Sequence, residues 1–153
     1  TLFILAIPFF LKRFGIKKVM LMSMIAWVLR FGLFSYGNPA EMLWMIILSN
    51  IVYGMAFDFF NISGSLYVET QTTSDIRASA QGLFMMMPNG FGAILGGWSS
   101  GVIIDNFFVN AGGHFDWHGI WMTFAVYSLV IAVLFAVLFK HKHNPEELVD
   151  IKH

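Results

Sequence analysis

Residues 51–69 read IVYGMAFDFFNISGSLYVE, and one acid within them decides how the chain is read. Asp58 lies between Phe57 and Phe59, and no Lys or Arg occurs between Arg30 and Arg77 to neutralise it. At 3.6 residues per turn, Asn50, Tyr53, Gly54, Phe57, Asp58, Asn61, Gly64 and Ser65 share an arc of roughly 140°. Ile51, Val52, Met55, Phe59, Ile62 and Leu66 take the other side. That sorting predicts a helix with one apolar face and one face that lines something polar.

The surrounding composition says what the helix is dissolved in. The chain is 58% hydrophobic and 12% charged, with seventeen Phe, ten Met and five Trp among 153 residues. Its mean hydropathy is +0.71. Soluble domains carry about 25% charged residues, so most of this chain is expected to be solvated by lipid. A net charge of zero gives no sign of a nucleic-acid partner. With no Cys there is neither a disulfide framework nor a thiolate metal site.

Five apolar segments follow one another, at about 1–11, 19–36, 43–67, 78–108 and 118–139, ahead of a polar tail at 140–153. The first is too short to span a bilayer, which takes about 20 residues. It also has no basic flank or cleavage site of a signal peptide, so the chain is expected to be a fragment cut within a helix. Gly37, Asn38 and Pro39 form a turn signal between the second and third segments. Bases fall on alternate connections: Lys12, Arg13, Lys17 and Lys18 in the first, Arg77 in the third, Lys140 and Lys142 in the tail. Loops 12–18 and 69–77 and the tail are therefore predicted to be cytoplasmic.

On that topology Asp58 lies 11 residues before Glu69, about 16 Å from the cytoplasmic end and near the middle of a hydrocarbon layer about 30 Å thick. A carboxylate there costs at least ~2.5 kcal/mol and persists where it faces a bundle interior or a wet cavity. Removal from water penalises the charged form of any carboxylate, so an acid so placed can take up and release a proton. Asn61 at i+3 and Ser65 are placed to orient it, and Tyr53 and Phe57 present two rings on the same side. The competing reading makes Asp58 a satisfied interhelical hydrogen bonder.

Arg30, inside the second segment, either snorkels toward the outer headgroups or belongs to a polar pathway. In the fourth segment Gln81, Pro88, Asn89, Gly92, Gly96 and Ser99 cluster in an arc of roughly 100°. Its glycine spacings at 92/96 and 97/101 suit close helix packing, and Pro88 should kink it. Gln81 and Asn89, like Asn50, are either pathway lining or packing. His141, His143 and His153 read as a solvated tail and not as a metal site. There is no phosphate-binding glycine loop and no nucleophile elbow, so an enzyme has little to stand on.

PFFLKRFGIKKVM is similar to a degenerate cytoplasmic-loop signature of the major facilitator superfamily, and IRASAQG shares that flavour. More specifically, LRFGLFSYGNP, IVYGMAFDFFNISGSLYVE, IRASAQGLFMMMPNGFGAILGG and the terminal FKHKH resemble bacterial nucleoside permeases of the nucleoside:proton symporter family. The resemblance implies an all-α membrane bundle, helices eight (partial) to twelve of a twelve-helix transporter in the bacterial inner membrane. It implies proton-coupled nucleoside transport, with protons as coupling ion and no other cofactor. Tyr53, Phe57 and Asp58 match the family's binding and coupling positions, with Asp58 coupling the proton, and Asn61, on the same arc of the helix, is expected to join them in binding substrate. The N-terminal half of the same polypeptide would be a necessary partner, so this chain should not transport alone. A symporter for a sugar or other small polar solute is the alternative within transport. A non-transporting receptor or scaffold is the alternative outside it.

Overall fold

The computed structural model describes residues 2–37, 41–110 and 112–140, the side chains of 2–5 excepted. It is all-α: α1 (Leu2–Tyr36), α2 (Leu43–Gln71), α3 (Arg77–Met86), a π-helical turn (Met87–Gly92), α4 (Ala93–Phe107) and α5 (Trp117–Leu138). A single bridge between Val109 and Phe115 closes the hairpin ahead of α5. Among the described residues three stretches, Ala6–Tyr36, Leu43–Gln71 and Trp117–Leu138, are long and apolar enough to cross a membrane. The expected tail lies outside the described residues except for Lys140, as do Asn38 and Pro39 of the expected turn.

The connection expected at 12–18 is smaller than its charges suggest. Lys and Arg are good helix formers, and α1 continues through them except at Gly15, where φ is 78° and ψ 165°. Only glycine enters that region at little steric cost. Ile7 and Leu11 before this joint, and Ile16, Val19 and Met20 after it, meet Phe59 of α2 in one buried cluster. Phe10 sits on that cluster with its ring 5.3 Å from Phe59.

The segment expected at 78–108 is divided. Pro88 has no N–H to give to a regular ladder, and the chain widens there into the π turn before α4 resumes. Such single π turns recur at functional sites. Gly96, Gly97 and Gly101 face open space, since an added Cβ would meet nothing within 4 Å. Among the described residues the close approach expected of those glycines falls elsewhere, at Gly64, which is buried under the Phe84 ring of α3.

Polar ties fix the helices against one another. Lys17 Nζ donates to the Ala136 carbonyl near the end of α5, at 2.9 Å. Near the C-terminal end of α1, Ser35 Oγ donates to the His118 carbonyl at 3.1 Å. His118 Nδ1 lies 2.9 Å from the Ser35 carbonyl, and because a carbonyl only accepts, Nδ1 is the donor. Between α2 and α3, Ser65 Oγ donates to Gln81 Oε1 at 2.9 Å and Gln81 Nε2 donates back to the Ser65 carbonyl at 2.7 Å. Gln81 is thus a clasp between helices. Arg77 and Glu69 form an ion pair at 3.4 Å near the same turn, of a solvated kind that contributes little.

A β-branched side chain at Gly64 has to displace Phe84 and the α2–α3 contact with it. Gly64→Val is expected to destabilise the protein by about 1–3 kcal/mol, the usual cost of overpacking. The check is a lowered melting temperature of the full-length protein in detergent.

Candidate functional site

A cavity of about 340 Å³ opens between α1, α2, the π turn and α5. That is inside the range of about 300–1,000 Å³ in which small-molecule sites fall. Helical periodicity builds its main wall. Tyr53, Phe57, Phe60 and Asn61 recur at i, i+4, i+7 and i+8 along α2, so one stripe presents three rings and an amide. Met24 and Trp27 close it from α1, Pro88 and Asn89 from the π turn, and Ser128 and Ile131 from α5.

The rings are ordered by one another. Trp27 meets Tyr53 edge-on at 5.3 Å, and Tyr53 lies 5.9 Å from Phe57. Such pairs hold a ring's orientation as well as its burial. The two amides are also anchored: Asn61 Nδ2 donates to the Phe57 carbonyl at 2.9 Å, and Asn89 Nδ2 to the Met85 carbonyl at 3.0 Å. Each bond uses one N–H and leaves a second N–H and a carbonyl oxygen for a ligand. The site therefore offers flat apolar surfaces for an aromatic group and fixed donors and acceptors for its polar edges.

The residues named from sequence separate into four groups. Tyr53, Phe57, Asn61 and Asn89 line the cavity. Arg30 stacks behind the wall, its guanidinium carbon 4.0 Å from the Tyr53 ring centroid. Asn50 is exposed and donates to the Ile46 carbonyl at 3.0 Å, and Gln81 is committed to Ser65. Asp58 is half-buried on the flank of α2 and is not among the residues lining this cavity. On an ideal helix it points roughly 60° away from Asn61. The described residues contain no cluster of His, Cys, Asp and Glu suited to a metal ion.

Sequence reasoning missed Trp27, Met24, Phe60, Ser128 and Ile131. Trp27 had a usable signal, lying three residues before Arg30 and so on the same helical face. Ser128 is a small polar residue in an otherwise apolar segment, a weaker signal. Met24, Phe60 and Ile131 had none, because apolar residues on apolar helices are brought to a site by packing alone.

Comparison with known proteins gives the family. A family model described as nucleoside H+ symporter matches residues 1–144. The xanthosine permease of Escherichia coli (strain K12) is 59% identical over 147 residues, covering 95% of this chain and 35% of that protein. The nucleoside permease NupG of the same organism is 56% identical over 144 residues, covering 94% of this chain and 34% of that protein. The crystal structure of nucleoside transporter NupG superposes with a TM-score of 0.83 at 55% identity, over 93% of this chain and 35% of that one. The chain thus spans about a third of the length of these relatives. From the helical bundle and a family match over nearly its whole length, the chain belongs to the nucleoside H+ symporter family.

Proposed function

We propose that this chain forms part of a proton-coupled nucleoside transporter of the bacterial inner membrane, and that its cavity is one wall of the nucleoside site. The observation that carries the reading is the joining of Tyr53 and Phe57 with Asn61 and Asn89 around a single cavity. A nucleobase is flat and apolar on its faces and polar at its rim, and this wall answers both. Stacking on an aromatic ring contributes ~1–3 kcal/mol per base, and the free groups of the two amides suit the base edge or the ribose. Asp58, one residue along from Phe57 and half-buried, is the proton-coupling acid in this account. Its place on the flank of the stripe lets it change charge beside the substrate without filling the substrate's space.

The remaining length of the relatives would supply the facing half, and rocking of one half against the other would alternate access to the site. The Lys12–Lys18 joint, the 69–77 turn and the tail face the cytoplasm in this arrangement, in keeping with the placement of bases.

The test uses the full-length protein in proteoliposomes with an acidic exterior. Labelled uridine is expected to accumulate, with adenosine and thymidine competing and hexoses not competing. Competition by hexoses alone would replace the nucleoside reading with a sugar symporter, since rings stack on sugars as well.

A further inference from the structure

Arg30 is held by rings. Its guanidinium carbon lies 4.0 Å from the Tyr53 centroid, 5.1 Å from Trp27 and 5.6 Å from Phe34. Its Nε is buried and finds no hydrogen-bond partner among the described residues. Ser49 Oγ of α2 donates to the Arg30 carbonyl at 3.2 Å, which pins the two helices together at this level. Arg30 lies six residues before Tyr36, the end of α1, about 9 Å along the axis. Its side chain is long enough to reach toward that end, yet it folds back onto the rings. Guanidinium is planar and weakly hydrated, so it stacks where ammonium does not, and the attraction to a ring grows as water is removed.

Two of the three rings in this cage, Trp27 and Tyr53, also line the cavity. We propose that Arg30 is a positioning residue for substrate affinity, acting through Tyr53. The cation occupies one face of the Tyr53 ring and leaves only the opposite face and the edge to an incoming aromatic base. It also fixes that ring against Trp27, so the stacking surface is already formed when the base arrives. Preorganisation of this kind is expressed as affinity and not as the rate of the conformational cycle. The inference rests on the nucleoside reading above.

Uptake by the full-length protein, normalised to transporter recovered in the membrane, decides it. Arg30→Gln is expected to raise nucleoside KM roughly tenfold, the scale of a desolvated cation–π contact. Maximal rate should stay within about twofold, the pattern of a lost binding interaction. Arg30→Lys keeps the charge but not the flat stack, and a smaller rise in KM is expected. Tyr53→Leu also raises KM, and adding Arg30→Gln to it should change nothing more, because both act through one ring. An unchanged KM, a fall in maximal rate alone, or additive losses in the double variant would each overturn the proposal. Additive losses would point instead to a partner for Arg30 in the rest of the protein. If Arg30→Gln is not recovered in membranes, Arg30→Lys with Tyr53→Leu completes the same cycle with the same two outcomes. A wild-type protein that fails to carry nucleosides defeats the function proposed above, whereas active wild type with a neutral Arg30→Gln defeats only this inference.

Discussion

Asp58→Asn in the full-length transporter is expected to abolish nucleoside accumulation driven by a pH gradient while preserving exchange of nucleoside across the membrane. The substitution keeps the shape of the side chain and removes its ability to bind and release a proton. One charge moved through 100 mV supplies about 2.3 kcal/mol, or roughly a 50-fold concentration ratio at equilibrium. An uncoupled carrier reaches a ratio of one, so the difference is large and simple to read in proteoliposomes. Counterflow with internal unlabelled uridine separates loss of coupling from loss of binding. If uphill uptake survives intact and only thermal stability changes, Asp58 is a structural hydrogen bonder and coupling resides elsewhere.

Phe57→Ala carries the second large effect, a rise of about 10- to 100-fold in nucleoside KM from the loss of one stacking surface. The fold should tolerate it, because Phe57 is 43% exposed and its ring borders the cavity. Phe59 provides the contrast two residues away. It is 1% exposed at the centre of the cluster with Ile7, Leu11 and Val19, and truncation there costs about 3–5 kcal/mol of stability. The pair of alanine variants should therefore divide cleanly, one losing affinity with a normal melting temperature and the other losing the folded protein. Equal KM for Phe57→Ala and wild type would remove that ring from the substrate site.

Much of this was legible in the sequence because helical periodicity is a local property. The arc drawn through Tyr53, Phe57 and Asn61 is the stripe that lines the cavity, and it follows from 3.6 residues per turn alone. The other polar candidates are placed differently. Asn50 bonds back to its own Ile46 carbonyl, a partner that every helical Asn has within reach. Gln81 was open to two readings, and the choice lay with Ser65 on another helix. Asp58 sits at the edge of the arc, where 60° decides between lining and flank. The joint at Gly15 was hidden by charge: four bases within seven residues suggest a loop, yet only the glycine departs from helical geometry. The π turn was half visible, since Pro88 marks a disturbance but does not say whether the helix will kink or widen.

The bonds between α1 and α5 carry a mechanical meaning. Lys17 to Ala136 at the middle of α1, and Ser35 with His118 near its C-terminal end, fasten those two helices at two levels. Parting the two helices at either level breaks one of these bonds. The strut from Arg77 to Phe107 is tied near both ends, by the Gln81 clasp to α2 and by the Phe108 carbonyl, which accepts from the Asp116 N–H ahead of α5, while its irregular turn borders the cavity. Between those ties the backbone ladder is irregular only at Met87–Gly92, so within this chain any give in the cavity wall is expected at that turn, while the α1–α5 pair holds its spacing.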